Sequence, residues 1–265
     1  MTSYFDIGAN LTHKSLLPDI ENVLARSTEA NVRSIVVTGT TLQESHNALE
    51  LCRQFPHQLW CTAGIHPHHA DEWNSHAARV LEVLAQSPQV RAIGETGLDF
   101  NRDFSPRECQ ITAFEGQLGL ATQTGLPVFS HQRDAHDVFL SNLKEHRSDL
   151  NAVVVHCFTD NESALRDYLD MDCYIGITGW LCDERRGLEL QRIVRYIPEN
   201  RIMVETDAPY LLPRNMPNPT KKRINEPCNL PHILKTLADC RESDVSSLAQ
   251  SCYANSLRFF GIKQP

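Results

Sequence analysis

The sequence lacks the long apolar runs that mark membrane proteins. Within its 265 residues no apolar stretch approaches the ~20 residues that a bilayer-spanning helix needs. The segment from Met1 to Asp6 contains neither a basic cluster nor the apolar core of a secretory signal peptide. From these absences we expect a protein of the cytoplasm that does not associate with membranes.

An excess of positive charge is also missing. The 25 Lys and Arg residues are outnumbered by 33 Asp and Glu residues, which gives a formal net charge of −8. Global charge therefore does not indicate a nucleic-acid partner, and any site for an anionic ligand must be local. The nine cysteines include no C-x-x-C pair. We therefore expect reduced and mostly buried thiols rather than disulfides or a zinc knuckle.

Glycine-rich phosphate-binding motifs are absent as well. Neither G-x-G-x-x-G nor a P-loop follows the first predicted strand, which disfavours a dinucleotide-binding or nucleoside-triphosphate-binding domain. The chain has no internal repeat, low-complexity tract or linker. We therefore expect residues 1–265 to form one domain.

Short apolar segments recur along the chain with amphipathic helical stretches between them. The segments are rich in Val, Ile and Phe and have no polar face, as expected for strands that are covered on both sides. The predicted strands are Tyr4 to Ala9, Ser34 to Thr38, Leu59 to Gly64, Val90 to Glu95, Val128 to His131, Ala152 to His156, Tyr174 to Ile177 and Ile202 to Glu205. Eight strands alternating with helices predict an α/β protein with a parallel (β/α)8 TIM barrel.

Local signals predict where several helices begin. Thr41 to Glu44, Ser105 to Glu108 and Thr159 to Glu162 each fit the S/T-x-x-E capping box. The longest irregular stretch, Pro209 to Pro231, precedes the last two predicted helices. In a barrel of this kind we expect that stretch to lie over the active face.

Chemically reactive side chains follow the predicted strands at their carboxyl ends. Glu95, His131, His156 and Asp207 end or follow the fourth, fifth, sixth and eighth strands, and His66 follows the third. Barrel enzymes draw their catalytic residues from these strand ends. Imidazole nitrogens and carboxylate oxygens together suit a divalent metal ion. We therefore predict a metal site of Glu95, His131, His156 and Asp207, and we expect His66 to bind substrate phosphate or to support the ligands.

Motifs along nearly the whole chain resemble those of the TatD-type metal-dependent deoxyribonucleases. They are Gly-Ile-His-Pro-His (64 to 68), Ile-Gly-Glu-Thr-Gly-Leu-Asp-Phe (93 to 100), Pro-Val-Phe-Ser-His-Gln-Arg-Asp-Ala (127 to 135), His-Cys-Phe-Thr (156 to 159) and Glu-Thr-Asp-Ala-Pro-Tyr-Leu (205 to 211). The resemblance implies an amidohydrolase-like barrel, a divalent cation and 3′ to 5′ exonuclease action on single-stranded DNA or RNA. The metal ligands that it implies map onto Glu95, His131, His156 and Asp207.

The first strand departs from the pattern of many relatives. They begin with D-x-H-x-H, whose histidines bind metal, whereas here Asp6 is followed by Gly8 and Asn10. We therefore expect one well-held metal ion, with Mg²⁺ favoured, Mn²⁺ acceptable and Zn²⁺ disfavoured. We expect Gly8 to leave room for water or substrate. We expect Asn10 to offer its carbonyl oxygen or to hydrogen-bond a bound water.

Two carboxylates are the candidate catalytic residues. We expect Asp207 to orient or deprotonate the attacking water, and Glu205 to orient a ligand or to belong to a layer of side chains inside the barrel. We expect Arg133 to bind substrate within a basic rim that would accept a phosphate backbone. The rim comprises Arg133, Arg185, Arg186, Lys221, Lys222 and Arg223.

Two alternative functions stay open at this stage. One is hydrolysis of another ester or amide, such as an aminoacyl-tRNA bond, because the same barrel supports many hydrolases. The fourth strand ends in Glu95, where a di-zinc amidase would place a bridging modified lysine, and this disfavours that reading. The other alternative is a non-catalytic nucleic-acid-binding scaffold. For the oligomeric state, a monomer is our expectation.

Overall fold

The computed structural model describes residues 2–217 and 224–263, and these form a parallel β/α barrel. Its single sheet runs β1 to β8 in sequence order. The strands are β1 (Tyr4–Ala9), β2 (Val32–Val37), β3 (Leu59–Ala63), β4 (Val90–Asp99), β5 (Val128–Arg133), β6 (Val153–Val155), β7 (Tyr174–Ile177) and β8 (Ile202–Val204). A parallel bridge between Ala9 and Ala208 joins the two ends of the sheet. The predicted (β/α)8 barrel is therefore confirmed.

The α-helices surround the sheet. They are α1 (Ile20–Glu29), α2 (Leu42–Gln54), α3 (Ser75–Ala85), α4 (Arg107–Thr124), α5 (His136–His146), α6 (Glu162–Asp170), α7 (Leu188–Ile193), α8 (Leu230–Arg241) and α9 (Val245–Phe259). One helix follows each strand, and α9 is an addition after the eighth repeat. Within the described ranges, no helix has both the length and the apolarity to cross a membrane.

Two apolar layers follow from the alternation of side chains along each strand. On β2, Ile35 and Val37 pack in the layer between the strands and the helices, whereas Val36 belongs to the cluster inside the barrel. The aromatic ring of Phe260 stacks on Phe5 of β1 at 5.7 Å between centroids, within the inner cluster. This packing fills the amino-terminal end of the barrel, so polar side chains collect at the other end. All nine cysteines are free and five are buried, as expected for reduced thiols.

Strand β4 is longer than predicted, and the difference changes the site. The prediction ended this strand at Glu95, but β4 continues to Asp99, which pairs in register with Arg133 of β5. Gly97 makes the extension possible, because its φ is +140° and a Cβ there would overlap the carbonyl oxygen of His131. The remaining strand bounds differ from prediction by no more than two residues.

The predicted helix starts are only partly confirmed. Thr41 caps α2 as expected, because its side chain accepts a hydrogen bond from a first-turn N–H. The predictions at Ser105 and Thr159 are wrong. The Ser105 hydroxyl donates instead to the carbonyl oxygen of His68 at 3.0 Å. Asn161 caps α6 in place of Thr159, because its side-chain oxygen accepts a hydrogen bond from a backbone N–H in the first turn of the helix.

Candidate active site and metal centre

Three imidazoles converge on one oxygen of Glu95. Its Oε1 lies 2.7 Å from His156 Nε2, 3.1 Å from His131 Nδ1 and 3.2 Å from His66 Nε2. These side chains come from the ends of successive strands, because parallel strands present their carboxyl ends at one face. Burial raises the pKa of Glu95, but the imidazoles of His156 and His66 outweigh burial and hold it well below its usual range.

Asp207 borders the same cluster from the end of β8. Asn10 donates from Nδ2 to its Oδ1 at 3.0 Å, and the Asp207 backbone N–H donates to the carbonyl oxygen of Gly8 at 2.8 Å. Burial raises the pKa of Asp207 to about 8, and the negative charge of Glu95 adds to this while His156 opposes it. Asn10 thus faces the site as expected, although it contacts Asp207 through its amide N–H rather than offering its carbonyl oxygen.

Glu205 lies behind His156 and is fully buried. Its Oε2 is 3.3 Å from His156 Nδ1, and its Oε1 accepts the backbone N–H of Cys157 at 2.6 Å. The two carboxylates, Glu95 and Glu205, therefore hold the His156 ring from opposite nitrogens. Burial lowers the pKa of His156, but these two charges outweigh burial and raise it well above its usual value. This position favours the orienting role for Glu205 over direct contact with substrate.

Gly8 gives Glu205 the space that it occupies. A Cβ at Gly8 would lie 2.6 Å from Glu205 Oε2 and 3.0 Å from Phe129 Cζ. The expectation that Gly8 leaves room for water or substrate is wrong, because the Glu205 carboxylate fills that volume. A histidine at position 8, as in relatives with D-x-H-x-H, would compete with Glu205 for the same space.

Asp99 is a site residue that the sequence reasoning missed. Its Oδ2 lies 3.4 Å from His131 Nε2 and 2.7 Å from His68 Nε2. His131 therefore faces Glu95 with one nitrogen and Asp99 with the other, as His156 does with Glu95 and Glu205. Metal-binding histidines commonly have a carboxylate on the nitrogen that is not bound to the metal. In both cases a buried carboxylate contacts the imidazole nitrogen that faces away from Glu95.

His66 differs from the other two imidazoles. Its Nδ1 accepts the backbone N–H of His68 at 3.1 Å, so neutral His66 carries its proton on Nε2, facing Glu95. Burial lowers the pKa of His66 to about 4, despite the nearby charge of Glu95. A neutral Nε2–H donor suits hydrogen bonding to a carboxylate or a phosphate oxygen. Nε2 could bind a metal ion only if its proton moved to Nδ1, which would break the hydrogen bond from the His68 backbone N–H.

The donor set fits a divalent cation. Ligand atoms of His66, Glu95 and His131 lie within 4.8 Å of one another, and His156 Nε2 contacts the same Glu95 oxygen. Burial and the charge of Glu95 raise the pKa of Asp207 more than His156 lowers it, so a cation beside Glu95 would stabilise the ionised carboxylate. Two carboxylates, together with imidazole nitrogens that a cation would bind in place of a proton, are the ligand chemistry of a divalent-metal site.

A cavity of about 560 Å³ opens above this cluster, and three guanidinium groups line it. Two of them, Arg133 and Arg186, belong to the predicted basic rim, whereas Arg102, in the loop after β4, was not predicted. Arg185 is not among the lining residues, and its Nε lies 3.7 Å from Asp183 Oδ1. The predicted rim residues Lys221, Lys222 and Arg223 lie outside the described residues. The described rim still offers local positive charge above an acidic cluster.

Two other cavities are larger, at about 780 and 1040 Å³. The first lies on the outer surface of α2 and α3, where His46 and Arg79 are among its lining residues. The second lies at the amino-terminal end of the barrel near Arg33 and Trp60. Neither combines imidazoles with carboxylates as the cavity above Glu95 does, so we assign the site by its chemistry rather than by volume.

Comparison with known proteins identifies the family of this chain. The model of the family described as TatD related DNase matches residues 5–261. This chain belongs to the TatD related DNase family. The 3'-5' ssDNA/RNA exonuclease TatD of Erwinia tasmaniensis is 50% identical to it over 259 residues, which cover 97% of this chain and 100% of the relative. The family resemblance seen in the motifs is therefore confirmed.

Solved structures of TatD proteins share the whole fold. The crystal structure of a hydrolase TatD family protein from Entamoeba histolytica is 26% identical, with a TM-score of 0.90 and coverage of 98% of this chain and 99% of that one. The structure of YJJV, a TatD homolog from Escherichia coli K12, is 25% identical, with a TM-score of 0.89 and coverage of 98% of both chains. The shared barrel fold therefore covers 98% of this chain.

Proposed function

We propose that this protein is a divalent-metal-dependent 3′–5′ exonuclease that acts on single-stranded DNA and RNA. The observation that carries the proposal is the convergence of three imidazoles on Glu95 Oε1 at the carboxyl ends of the strands. The relative from Erwinia tasmaniensis, which is 50% identical to this chain, is named a 3'-5' ssDNA/RNA exonuclease, and this name indicates the type of reaction. The guanidinium groups of Arg102, Arg133 and Arg186 supply charge for a phosphate backbone.

We assign Glu95, His131, His156 and Asp207 as the residues that would hold the metal ion. When bound, the ion neutralises charge on the phosphodiester and lowers the pKa of an attacking water. Mg²⁺ is our first choice, with Mn²⁺ second, because the first strand contributes no imidazole and carboxylates make up a large share of the donors.

The remaining roles in hydrolysis belong to side chains of the protein. Asp207 orients the attacking water and accepts its proton, which requires an ionised carboxylate; a cation beside Glu95 would favour that form against the effect of burial. Glu205 and Asp99 hold His156 and His131 in their productive orientations. The cavity-lining His66 binds a phosphate oxygen through its Nε2–H.

Arg133 serves as a second phosphate contact. Its Nη1 donates to Thr159 Oγ1 at 3.1 Å, and its guanidinium lies 4.9 Å from the centre of the Trp180 ring. These two contacts fix the side chain at the cavity wall and leave other N–H donors free to bind a phosphate. A fixed guanidinium loses less conformational entropy on binding than a freely rotating one.

The test is release of mononucleotides from a 3′-terminally labelled single strand, with chelator, Mg²⁺, Mn²⁺ or Zn²⁺ present. We expect activity only with added metal, and we expect Glu95→Gln and His131→Ala each to abolish it while circular dichroism shows a folded barrel. His76→Ala, which alters an exposed histidine on α3, is the matched control and should keep full activity. Metal-independent release, or full activity in Glu95→Gln, would contradict the proposal.

A further inference from the structure

Two large aromatic side chains stand exposed at the mouth of the active site. Phe104, in the loop after β4, is 66% exposed, and Tyr210, in the segment after β8, is 52% exposed. Exposed aromatic rings beside a cavity are available to stack on a ligand that enters it. Tyr196 is 44% exposed, but it precedes β8 and so lies at the opposite end of the barrel.

The order of the strands places Phe104 and Tyr210 across the mouth from each other. The closed sheet runs from β1 to β8 in sequence, so β4 and β8 are four strands apart in either direction around the ring. Loops that follow opposite strands emerge on opposite sides of the cavity. A chain entering between them would meet one aromatic ring on each side of the Glu95 cluster.

Contacts of the ring or the backbone hold both aromatic residues beside the Glu95 cluster. The ring of Phe104 contacts the ring of His68 edge-on, with centroids 4.7 Å apart, and His68 in turn contacts Asp99. The Tyr210 backbone N–H donates to the carbonyl oxygen of Asp207 at 2.9 Å, and its ring lies 5.8 Å from that of His13. Each ring is thus fixed relative to the metal ligands and still has exposed surface.

Trp180 lines the cavity, as Tyr210 does, but its ring is already occupied. The guanidinium groups of Arg186 and Arg133 lie 4.2 and 4.9 Å from its centroid. Stacking a base on this ring would require one guanidinium to leave. Trp180 therefore serves to position the two arginines, and the free aromatic surface belongs to Phe104 and Tyr210.

We propose that Phe104 and Tyr210 are stacking platforms for the two bases that flank the scissile phosphodiester, one ring for each base. This inference rests on the proposed exonuclease function and specifies how the substrate is recognised. Stacking is available to every base, so the platforms bind a strand without reading its sequence. The bases of a duplex are already stacked on each other, so their faces are not available to these rings. The platforms therefore favour single strands.

The test compares Phe104→Ala and Tyr210→Ala with the parent on three oligothymidylates. One is unmodified, one is abasic at the 3′-terminal position, and one is abasic at the penultimate position. On the unmodified strand we expect each variant to raise KM by about 5-fold or more with kcat nearly unchanged, the low end of base stacking. On the strand that lacks the base bound by the deleted ring, the KM of the variant should equal that of the parent, because the ring has no base to stack on. Phe104→Ala should show this equality on one abasic strand and Tyr210→Ala on the other.

Conservative changes and a distant control separate stacking from damage to the fold. Phe104→Tyr and Tyr210→Phe keep the rings and should keep the parent KM. Tyr196→Ala removes an exposed ring beneath Arg166, at the far end of the barrel, and should leave every rate unchanged.

The outcomes distinguish this inference from the function on which it rests. A parent protein that releases no nucleotide with any metal would contradict the exonuclease proposal itself. If the parent is active but Phe104→Ala and Tyr210→Ala each raise KM equally on all three strands, or leave KM unchanged on all three, the stacking proposal is wrong. The exonuclease proposal would then still stand.

Discussion

Replacing Gly8 with alanine tests whether this position makes room for a carboxylate. The new Cβ would lie 2.6 Å from Glu205 Oε2 and 3.0 Å from Phe129 Cζ, which is too close for both. Glu205 is fully buried, and its oxygens hold His156 Nδ1 and the Cys157 N–H. The carboxylate therefore cannot retreat without losing at least one of these partners.

We expect Gly8→Ala to lower the free energy of unfolding by about 2 kcal/mol, as overpacking of a buried site does. Because His156 loses its orienting carboxylate, we also expect metal affinity to fall by about 10-fold or more. Gly119→Ala is the matched control, since a Cβ there meets no atom within 4 Å. It lies within α4 and should raise stability by roughly 0.5–1 kcal/mol.

The assay is urea unfolding followed by circular dichroism in the presence of chelator, with calorimetric titration of Mn²⁺ in parallel. Combining Gly8→Ala with Glu205→Asp gives a double-mutant cycle, because the shorter side chain leaves space for the added methyl group. We expect the two changes to couple favourably by about 1 kcal/mol. Strict additivity, or a Gly8→Ala protein as stable as the parent, would show that Glu205 does not depend on the space at position 8.

Three further predictions test individual carboxylates. Asp207→Asn should lower kcat by about 100-fold with little change in KM, because a general base acts in the transition state; a change confined to KM would make Asp207 a binding residue. Asp99→Asn should weaken metal binding about 10-fold in a calorimetric titration, since His131 loses its orienting partner; unchanged affinity would rule out that role. Burial raises the pKa of Asp183, but hydrogen bonds from the backbone of Arg185 and from Arg186 outweigh burial and lower it to about 2. The stability that Asp183 contributes is therefore present above about pH 4 and lost as the pH falls toward 2. The melting-temperature difference between parent and Asp183→Asn should narrow over that range, and a difference independent of pH would contradict the assignment.

The sequence alone predicted the barrel, which the structure confirms, and the four proposed metal ligands, which the structure brings to one end of the barrel. Each of Glu95, His131, His156 and Asp207 ends or directly follows an apolar run, and parallel strands in a barrel bring all such ends to one face. The number of runs and the helices between them then specify a closed ring. This inference needs only local periodicity and the rule that connects it to topology.

Only the tertiary structure decided what supports and surrounds those ligands. Asp99 reaches His131 because β4 continues beside β5, and Glu205 reaches His156 because Gly8 leaves the volume empty. Phe104 and Tyr210 stand across the mouth because the ring closes between β1 and β8. These contacts depend on register and on ring closure between residues far apart in the chain. Local periodicity carries no information about such distances, so the side chains that orient a ligand or receive a base become evident only when the strands are assembled.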